Sequence, residues 1–397
     1  MTSLLVIIVL VLLAVALWQL TKIFDLTQVG SSSDDSQVVS DNDNNVQGYI
    51  MFGFLAFIYI FTIYGLLKWG NLVLHTPASE HGLLVDNLMN ITWVLIFTVQ
   101  FITQGLLYWF SFKYRGNKDK KALFFADSNK LEAIWSIIPS VVLAVLILYG
   151  LYAWNNIMFV DKDEDVIEIE LYAQQFKWTA RYAGQDNVLE KANVRLIQGV
   201  NTLGVDMSDP NAQDDIIVSE LHIPKGKKIH FKMRSQDVLH SAYMPHFRAQ
   251  MNCVPGMVTE FAFIPTYTTA EYRELPFMVE KISNINKIRA EKSIDLVAKG
   301  GTALDPYTFD YLLLCNKICG ASHYNMQMKI VVDSPEDYKK WLIGKTTLSQ
   351  DIKAAAAAEK PAEGVDSAKD SSASVVKDTV KSVIDTVKAV MAKVAMK

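Results

Sequence analysis

Four uncharged runs constrain this chain more than any other feature. Residues 2–20, 49–67, 90–110 and 134–154 are almost wholly apolar. A bilayer core gives backbone polar groups no water, so a run of about 20 such residues is stable there only as a helix. The first expectation is therefore a membrane α-helical anchor with four spans. Pro139 falls inside the fourth run, where neighbouring helices can satisfy the freed backbone group.

Loop charge sets the orientation. Lys113, Arg115, Lys118, Lys120, Lys121 and Lys130 follow the third run, whereas only Lys68 lies in the loop before it. The positive-inside rule places the Lys-rich loop in the cytoplasm, so everything after Asn155 is periplasmic. The expected location is a bacterial inner membrane, crossed several times, with the C-terminus outside. Lys22, just after the first run, agrees with an outside N-terminus. A cleaved signal peptide is the alternative for residues 1–22. No basic residue precedes the run and WQLTKIF lacks a small-residue cleavage site, which favours a retained helix.

Residues 165–265 behave differently. DVIEIELYAQ, DIIVSELHIP and GMVTEFAFIP alternate apolar and polar residues, with turn residues such as Pro224, Lys225 and Gly226 between runs. That is strand periodicity and implies an all-β sandwich. A net charge of −4 gives no reason to expect a nucleic-acid partner. Three cysteines are too few for a disulfide scaffold, and no C-x-x-C-H marks a c-type haem.

Two of the cysteines lie in YLLLCNKICGASHYNMQM, residues 311–328, which brings Cys315, Cys319, His323 and Met326 into one loop. His240 stands about seventy residues upstream, at what reads as a strand end. Thiolate, imidazole and thioether suit copper better than magnesium, calcium or manganese. A Cys315–Cys319 disulfide is the plain alternative in a periplasmic domain. Gly320 lets the loop turn back, because glycine tolerates positive φ. Cys253 reads as a small buried hydrophobe.

The loop resembles the binuclear copper A loop of cytochrome c oxidase subunit II, C-x-E-x-C-G-x-x-H-x-x-M. Cys315, Cys319, Gly320, His323 and Met326 match it. Asp237, Val238, His240, Ser241 and Pro245 match the family's D-V-x-H-S-x-x-x-P. The resemblance implies a cupredoxin-like sandwich on a two-helix hairpin, holding two copper ions. The implied ligands are His240, Cys315, the Lys317 backbone carbonyl, Cys319, His323 and Met326. Lys317 replaces the family's Glu, whose carboxylate faces a magnesium ion at the subunit I boundary, and leaves that contact open. Implied partners are subunit I and other oxidase subunits, the membrane, and a separate cytochrome c or haem c subunit as electron donor. A larger respiratory supercomplex is compatible with the extra helices.

Further residues follow from the same resemblance. QQFKW is similar to the family's Q-W-x-W, which makes Phe176 and Trp178 candidates for electron uptake; ordinary strand core is the alternative. Glu132, three residues before Trp135, matches the family's acid at a proton path into subunit I; an interfacial anchor is the alternative. Acids at 161–170 and 206–215 form either a steering face for a basic cytochrome or ordinary surface.

The expected domains are an N-terminal helix at 1–22, a polar linker at 23–48, an extra span at 49–68 and a hairpin at 78–156. A copper A domain follows at 157–345, with a helical insertion at 268–305. A low-complexity linker at 346–372 leads to an amphipathic helix at 373–397, where Val376, Val380, Val383, Val387, Val390 and Val394 keep a heptad seam. His75, His81, His222, His230 and His246 receive no role. A redox-inert structural subunit and a mononuclear copper-delivery protein are the rival readings.

Overall fold

The computed structural model describes residues 2–29, 40–72, 75–117, 119–121, 123–160, 165–189 and 191–359. The expected C-terminal helix at 373–397 and the acids Asp161, Asp163 and Glu164 lie outside them.

The membrane part holds α1 (Thr2–Val29), α2 (Asp41–Trp69), α3 (Glu80–Lys113) and α4 (Asn129–Met158). Among the described residues, α2, α3 and α4 are long and apolar enough to cross a bilayer. The described apolar stretch of α1 is Ile8–Thr21, short of the about 20 residues a span needs. The four-span expectation is therefore corrected to three long helices and one shorter apolar helix. The run read from the sequence counts residues 2–20, whereas the described apolar stretch covers 14 of α1's residues, Ile8 to Thr21. Two stretches read as linker are partly helical, because α1 runs to Val29 and α2 already starts at Asp41. The Ser40 side chain caps α2 by accepting from Asp43 N–H at 3.2 Å. At the cytoplasmic ends, Arg115 donates to Asn45 at 2.7 Å and ties α3 to α2.

The β domain contains β1 (Ile167–Gln174), β2 (Lys177–Tyr182), β3 (Ile216–Val218), β4 (Leu221–Pro224), β5 (Ile229–Ser235), β6 (His240–Met244), β7 (Ala249–Cys253), β8 (Thr259–Phe263), β9 (Tyr311–Cys315) and β10 (Gln327–Asp333). They form two five-stranded sheets, ordered β3-β2-β1-β5-β8 and β4-β10-β9-β6-β7. β1 with β5 and β10 with β4 are parallel, while the other pairs are antiparallel. This is a half-barrel with open edges, not the clean all-β cupredoxin-like sandwich expected. Alternation reports which face a residue occupies but not whether the sheet closes.

Helices α5 (Thr269–Arg273) and α6 (Pro276–Ala298) fill the stretch between β8 and β9. α7 (Pro335–Ile343) follows β10, and α8 (Leu348–Glu359) occupies part of the stretch read as low-complexity linker.

The core lies between the sheets, where Ile169, Leu171, Phe231, Leu313 and Ile330 are fully buried. β1 is also covered on its outer face. Tyr172 packs there with Leu203, Val205, Ala212 and Leu348 in a second cluster. Glu170 shares that covered face and must be paired, since a buried charge without a partner is costly. Arg181 donates to Glu170 at 3.1 Å and to Asp215 at 2.6 Å, all three being buried.

The domain is fixed to the start of α3 by several bonds, among them Glu80 N–H to the Ile264 carbonyl at 3.0 Å and Ala78 N–H to the His246 carbonyl at 2.7 Å. Arg248, in the left-handed region at φ 54°, clamps Asp86 through Nε at 2.7 Å and Nη2 at 3.0 Å. It also donates to the His75 carbonyl at 2.6 Å. Ser79 adds a hydrogen bond to the Phe247 carbonyl at 2.6 Å. β6 runs away from this joint, so its other end, His240, is roughly 17 Å of extended chain from it.

Asp215 yields a pH prediction. Burial, with Asp214 and Glu170 nearby, outweighs Arg181 and pushes its carboxyl up to about 6. A folded pKa above the unfolded value means the folded domain holds this proton more tightly. Its contribution to stability is full below the unfolded pKa and lost as pH rises through about 6. Denaturation on going from about pH 7 to about pH 5 should show the native chain gaining stability relative to Asp215→Asn. A constant difference between the two would contradict this.

Candidate metal centre

β6 and β9 are neighbours, with Ala242 opposite Cys315. His240, the first residue of β6, therefore meets Cys315, the last of β9. The loop after Cys315 returns at once to β10. Cys315 N–H donates to the Met326 carbonyl at 3.1 Å and Asn316 N–H to the Ser241 carbonyl at 3.0 Å, which closes it. His323 opens a short 3-10 turn, His323–Asn325, that faces it back toward Cys319.

The donor atoms converge. Cys315 Sγ lies 3.7 Å from His240 Nδ1 and 3.9 Å from Cys319 Sγ. Cys319 Sγ lies 3.6 Å from His323 Nδ1 and 3.8 Å from Met326 Sδ. The Lys317 carbonyl is 3.2 Å from Cys315 Sγ. His240, Cys315 and Cys319 place their ligand atoms within 4.8 Å of one another, and all three are buried. This trio is a potential metal-binding site. The sulfurs are too far apart for a disulfide, which needs about 2.05 Å. They are close enough to share a metal ion at about 2.3 Å from each.

Two residues without a role in the sequence reading hold the site. Asp237 accepts from His240 Nε2 at 2.8 Å, from Gln175 N–H at 2.7 Å and from Val238 N–H at 2.7 Å. Burial works to raise the Asp237 carboxyl, but these hydrogen bonds win and hold it below its ordinary value. With the proton on Nε2, the lone pair of Nδ1 is left facing Cys315. Gln175 donates its side-chain amide to the Cys319 carbonyl. It also closes over Gly320, at φ 138°, where a Cβ would lie 2.9 Å from Gln175 Nε2 and 2.9 Å from Phe176 Cζ. The three-residue spacing of Asp237 and His240 was the available signal for the first. Nothing local signalled the second.

Burial and the neighbouring Cys315 push the Cys319 thiol up to about 11. Without a metal it holds its proton at neutral pH, so binding a metal there must release one.

The other candidates divide. Phe176 is half-buried over Gly320. Trp178 is 2% exposed, edge-on to His240 at 6.2 Å between ring centres. Glu132 is exposed in the first turn of α4, at the far end of that helix from the β domain. Cys253 stands opposite His240 in the sheet, and burial pushes its thiol up to about 12. His246 packs among Tyr272, Phe309 and Tyr311, and burial lowers it to about 4. Several acids turn inward rather than face a partner. Glu168 pairs with His230 at 2.7 Å and Lys232 at 3.1 Å, and Glu170 and Asp215 pair with Arg181.

A helical membrane anchor carrying a buried Cys-Cys-His site on an extracytoplasmic β domain defines a membrane-anchored protein with a candidate metal site. The comparisons make the class specific. The family model for the cytochrome c oxidase subunit II transmembrane domain matches residues 67–152. An "Alternative cytochrome c oxidase subunit 2" of Bradyrhizobium diazoefficiens is 31% identical over 277 residues, covering 69% of this chain and 84% of that one. A cytochrome c oxidase subunit 2 of Thermostichus vulcanus is 22% identical, covering 68% and 77%. The periplasmic domain of cytochrome oxidase subunit II of Bradyrhizobium japonicum aligns with a TM-score of 0.26 at 18% identity, over 47% of this chain and 95% of that one. The chain belongs to the cytochrome c oxidase subunit II family. It is a multi-pass inner-membrane protein with its β domain outside, and an electron-transfer subunit of an oxidoreductase complex.

Metal affinity should depend on Asp237. Replacing an outer-shell partner of a metal-bound His typically costs about 10–100-fold in affinity. A chelator-competition titration of the full-length chain should show Asp237→Ala weaker by about that factor. Unchanged affinity would remove Asp237 from the site.

Proposed function

We propose that this chain takes electrons from a cytochrome c at a dicopper centre and passes them to a haem in subunit I. There, oxygen reduction to water would be coupled to proton pumping. The observation that carries this reading is the Cys315–Cys319 separation of 3.9 Å, with an imidazole nitrogen facing each sulfur. That spacing suits one shared ion or two, and it is the donors on both sides, His240 with the Lys317 carbonyl at Cys315 and His323 with Met326 at Cys319, that favour two. The proposed ligands are His240, Cys315, the Lys317 carbonyl, Cys319, His323 and Met326. When bound, the copper pair supplies one-electron oxidation and reduction in a sulfur- and nitrogen-rich setting that suits copper.

The chain's own residues would do the rest. Cys315 and Cys319 would lose their protons and hold the metal through their sulfurs. Asp237 keeps His240 in one tautomer and one orientation. The backbone bonds from Cys315 to Met326 and from Asn316 to Ser241 hold the loop in one shape, so little needs to move between redox states. Burial of Cys315, Cys319 and Met326 keeps bulk water from the sulfurs. Phe176, at the half-buried rim, and Trp178, against His240, are the proposed path for electrons coming in. Glu132, at the cytoplasmic end of α4, is proposed to feed protons toward subunit I. Lys317 is exposed where the family carries a carboxylate, and no magnesium is proposed. A separate cytochrome c or haem c subunit is the proposed donor, within an assembly that includes subunit I.

Copper analysis and electron spin resonance of the oxidase complex containing the full-length chain test this. Two coppers per chain with a delocalised mixed-valence signal, lost in Cys319→Ser, are expected. One copper with an ordinary mononuclear signal, or an intact Cys315–Cys319 disulfide, would overturn the reading.

A further inference from the structure

Strand termini gather at one end of the β domain. β1 ends there at Gln174, β5 at Ser235, β7 at Cys253 and β9 at Cys315, while β2, β6, β8 and β10 begin there at Lys177, His240, Thr259 and Gln327. The bridge between Ser235 and Pro255 and the contact of Gln175 with the Cys319 carbonyl join the two sheets at this end. An apolar surface covers it. Val238 and Leu239 precede His240, Met257 and Val258 lie between β7 and β8, and Ile318 and Tyr324 belong to the ligand loop. All six are exposed, Ile318 at 87% and Tyr324 at 88%. Exposed apolar groups gathered in this way mark an interaction surface, whose core is apolar and whose rim is polar.

The charge left open at this end is positive. Its segments, 174–177, 235–240, 253–259 and 315–327, contain one acid, Asp237. That carboxylate already accepts from His240, Gln175 and Val238. Lys177 and Lys317 are exposed and make no ion pair among the described residues. Several acids of the domain are engaged elsewhere. Asp165, ahead of β1, pairs with Lys227, and Glu168, near the start of β1, pairs with His230. Glu260, just inside β8, also faces His230, at 3.6 Å. Asp214 accepts from Gln185 N–H and Asp215 from Arg181, toward the far end of β2 from Lys177.

We propose that this end of the domain docks the electron donor, and that it selects a donor whose haem edge is framed by apolar groups and carboxylates rather than by lysines. The proposal rests on the electron-transfer reading of the metal centre. Phe176, over Gly320, belongs to the same end, so a donor seated there meets the rim of the ligand loop. The donor's ferrous haem gives up one electron and is left ferric, the metal centre is reduced by one electron, and no bond forms or breaks. A donor ringed by lysines would meet Lys177 and Lys317 with like charge, which slows encounter and weakens docking.

The test uses the purified oxidase complex containing the full-length chain, and one lysine-rich cytochrome c in three forms: lysines free, acetylated or succinylated. The haem is the same in each, while the surface charge moves from positive to negative. Biolayer interferometry with the oxidised cytochromes reads binding without turnover. The succinylated form should bind about tenfold more tightly than the free-lysine form at low salt, and the difference should shrink as salt rises. Lys177→Glu should reduce that preference severalfold. Met257→Ser should weaken binding of all three forms at high salt, where the charges are screened. Equal or tighter binding of the free-lysine form, a preference unmoved by Lys177→Glu, high-salt binding untouched by Met257→Ser, or loss of subunit I from the Met257→Ser complex would each overturn it. Oxidation of the reduced cytochromes is followed in the same samples and in Cys319→Ser. Binding kept and oxidation lost in Cys319→Ser is the expected result. Oxidation that survives Cys319→Ser would overturn the electron-entry reading and the proposal with it, whereas the binding outcomes above overturn the proposal alone.

Discussion

Strand β6 sits between β7 and β9, and everything at the metal centre depends on that placement. One end of β6 carries His240, and the other runs straight into the Pro245–Arg248 turn that grips α3. The ligand loop hangs from β9, the next strand over. A five-residue strand therefore links the candidate metal position to the membrane joint with no flexible segment between them. Slipping β6 by one residue would turn His240 to the other face of the sheet, since side chains alternate strictly. The register of β6 against β7, from His240 opposite Cys253 to Met244 opposite Ala249, guards against that slip.

Charge inside the domain follows a similar logic. The loop between β2 and β3 covers the outer face of β1 and traps Glu170 beneath it. Arg181 answers Glu170 and Asp215 together, and Arg234 also reaches Glu170. A buried arrangement of this kind adds little net stability over an apolar one, but removing one member leaves an uncompensated charge. Its effect is to fix how the loop lies. It also withdraws acids from the surface, so the count of acidic residues in this region overstates the negative field a docking cytochrome would meet.

Much of the site was legible because its chemistry is local. Cys315, Cys319, His323 and Met326 lie within one short loop, and a loop that brief keeps its donors together however the domain is built. His240 was legible only through its motif, because nothing in its own periodicity says which strand lies beside it. Gln175 was not legible. Its contact with the Cys319 carbonyl spans 144 positions and exists only because the turn between β1 and β2 meets the ligand loop. The half-barrel was misread because alternation reports the environment of each residue, whereas closure of a sheet is a property of the whole element.

The joint between anchor and domain shows why a subunit of this kind needs more than a tether. An electron-transfer site works at a fixed distance from its partner cofactor, so swinging of the domain on its anchor would be harmful. Arg248 resists that motion with a two-point clamp on Asp86 and a further bond to the His75 carbonyl. Its left-handed backbone, at φ 54°, is tolerated because those bonds over-determine it. The clamp grips α3, and α4 adds a second hold by packing against β8, so the domain is braced by both helices of the hairpin and the position of the ligand loop is set relative to the membrane rather than by a single tether.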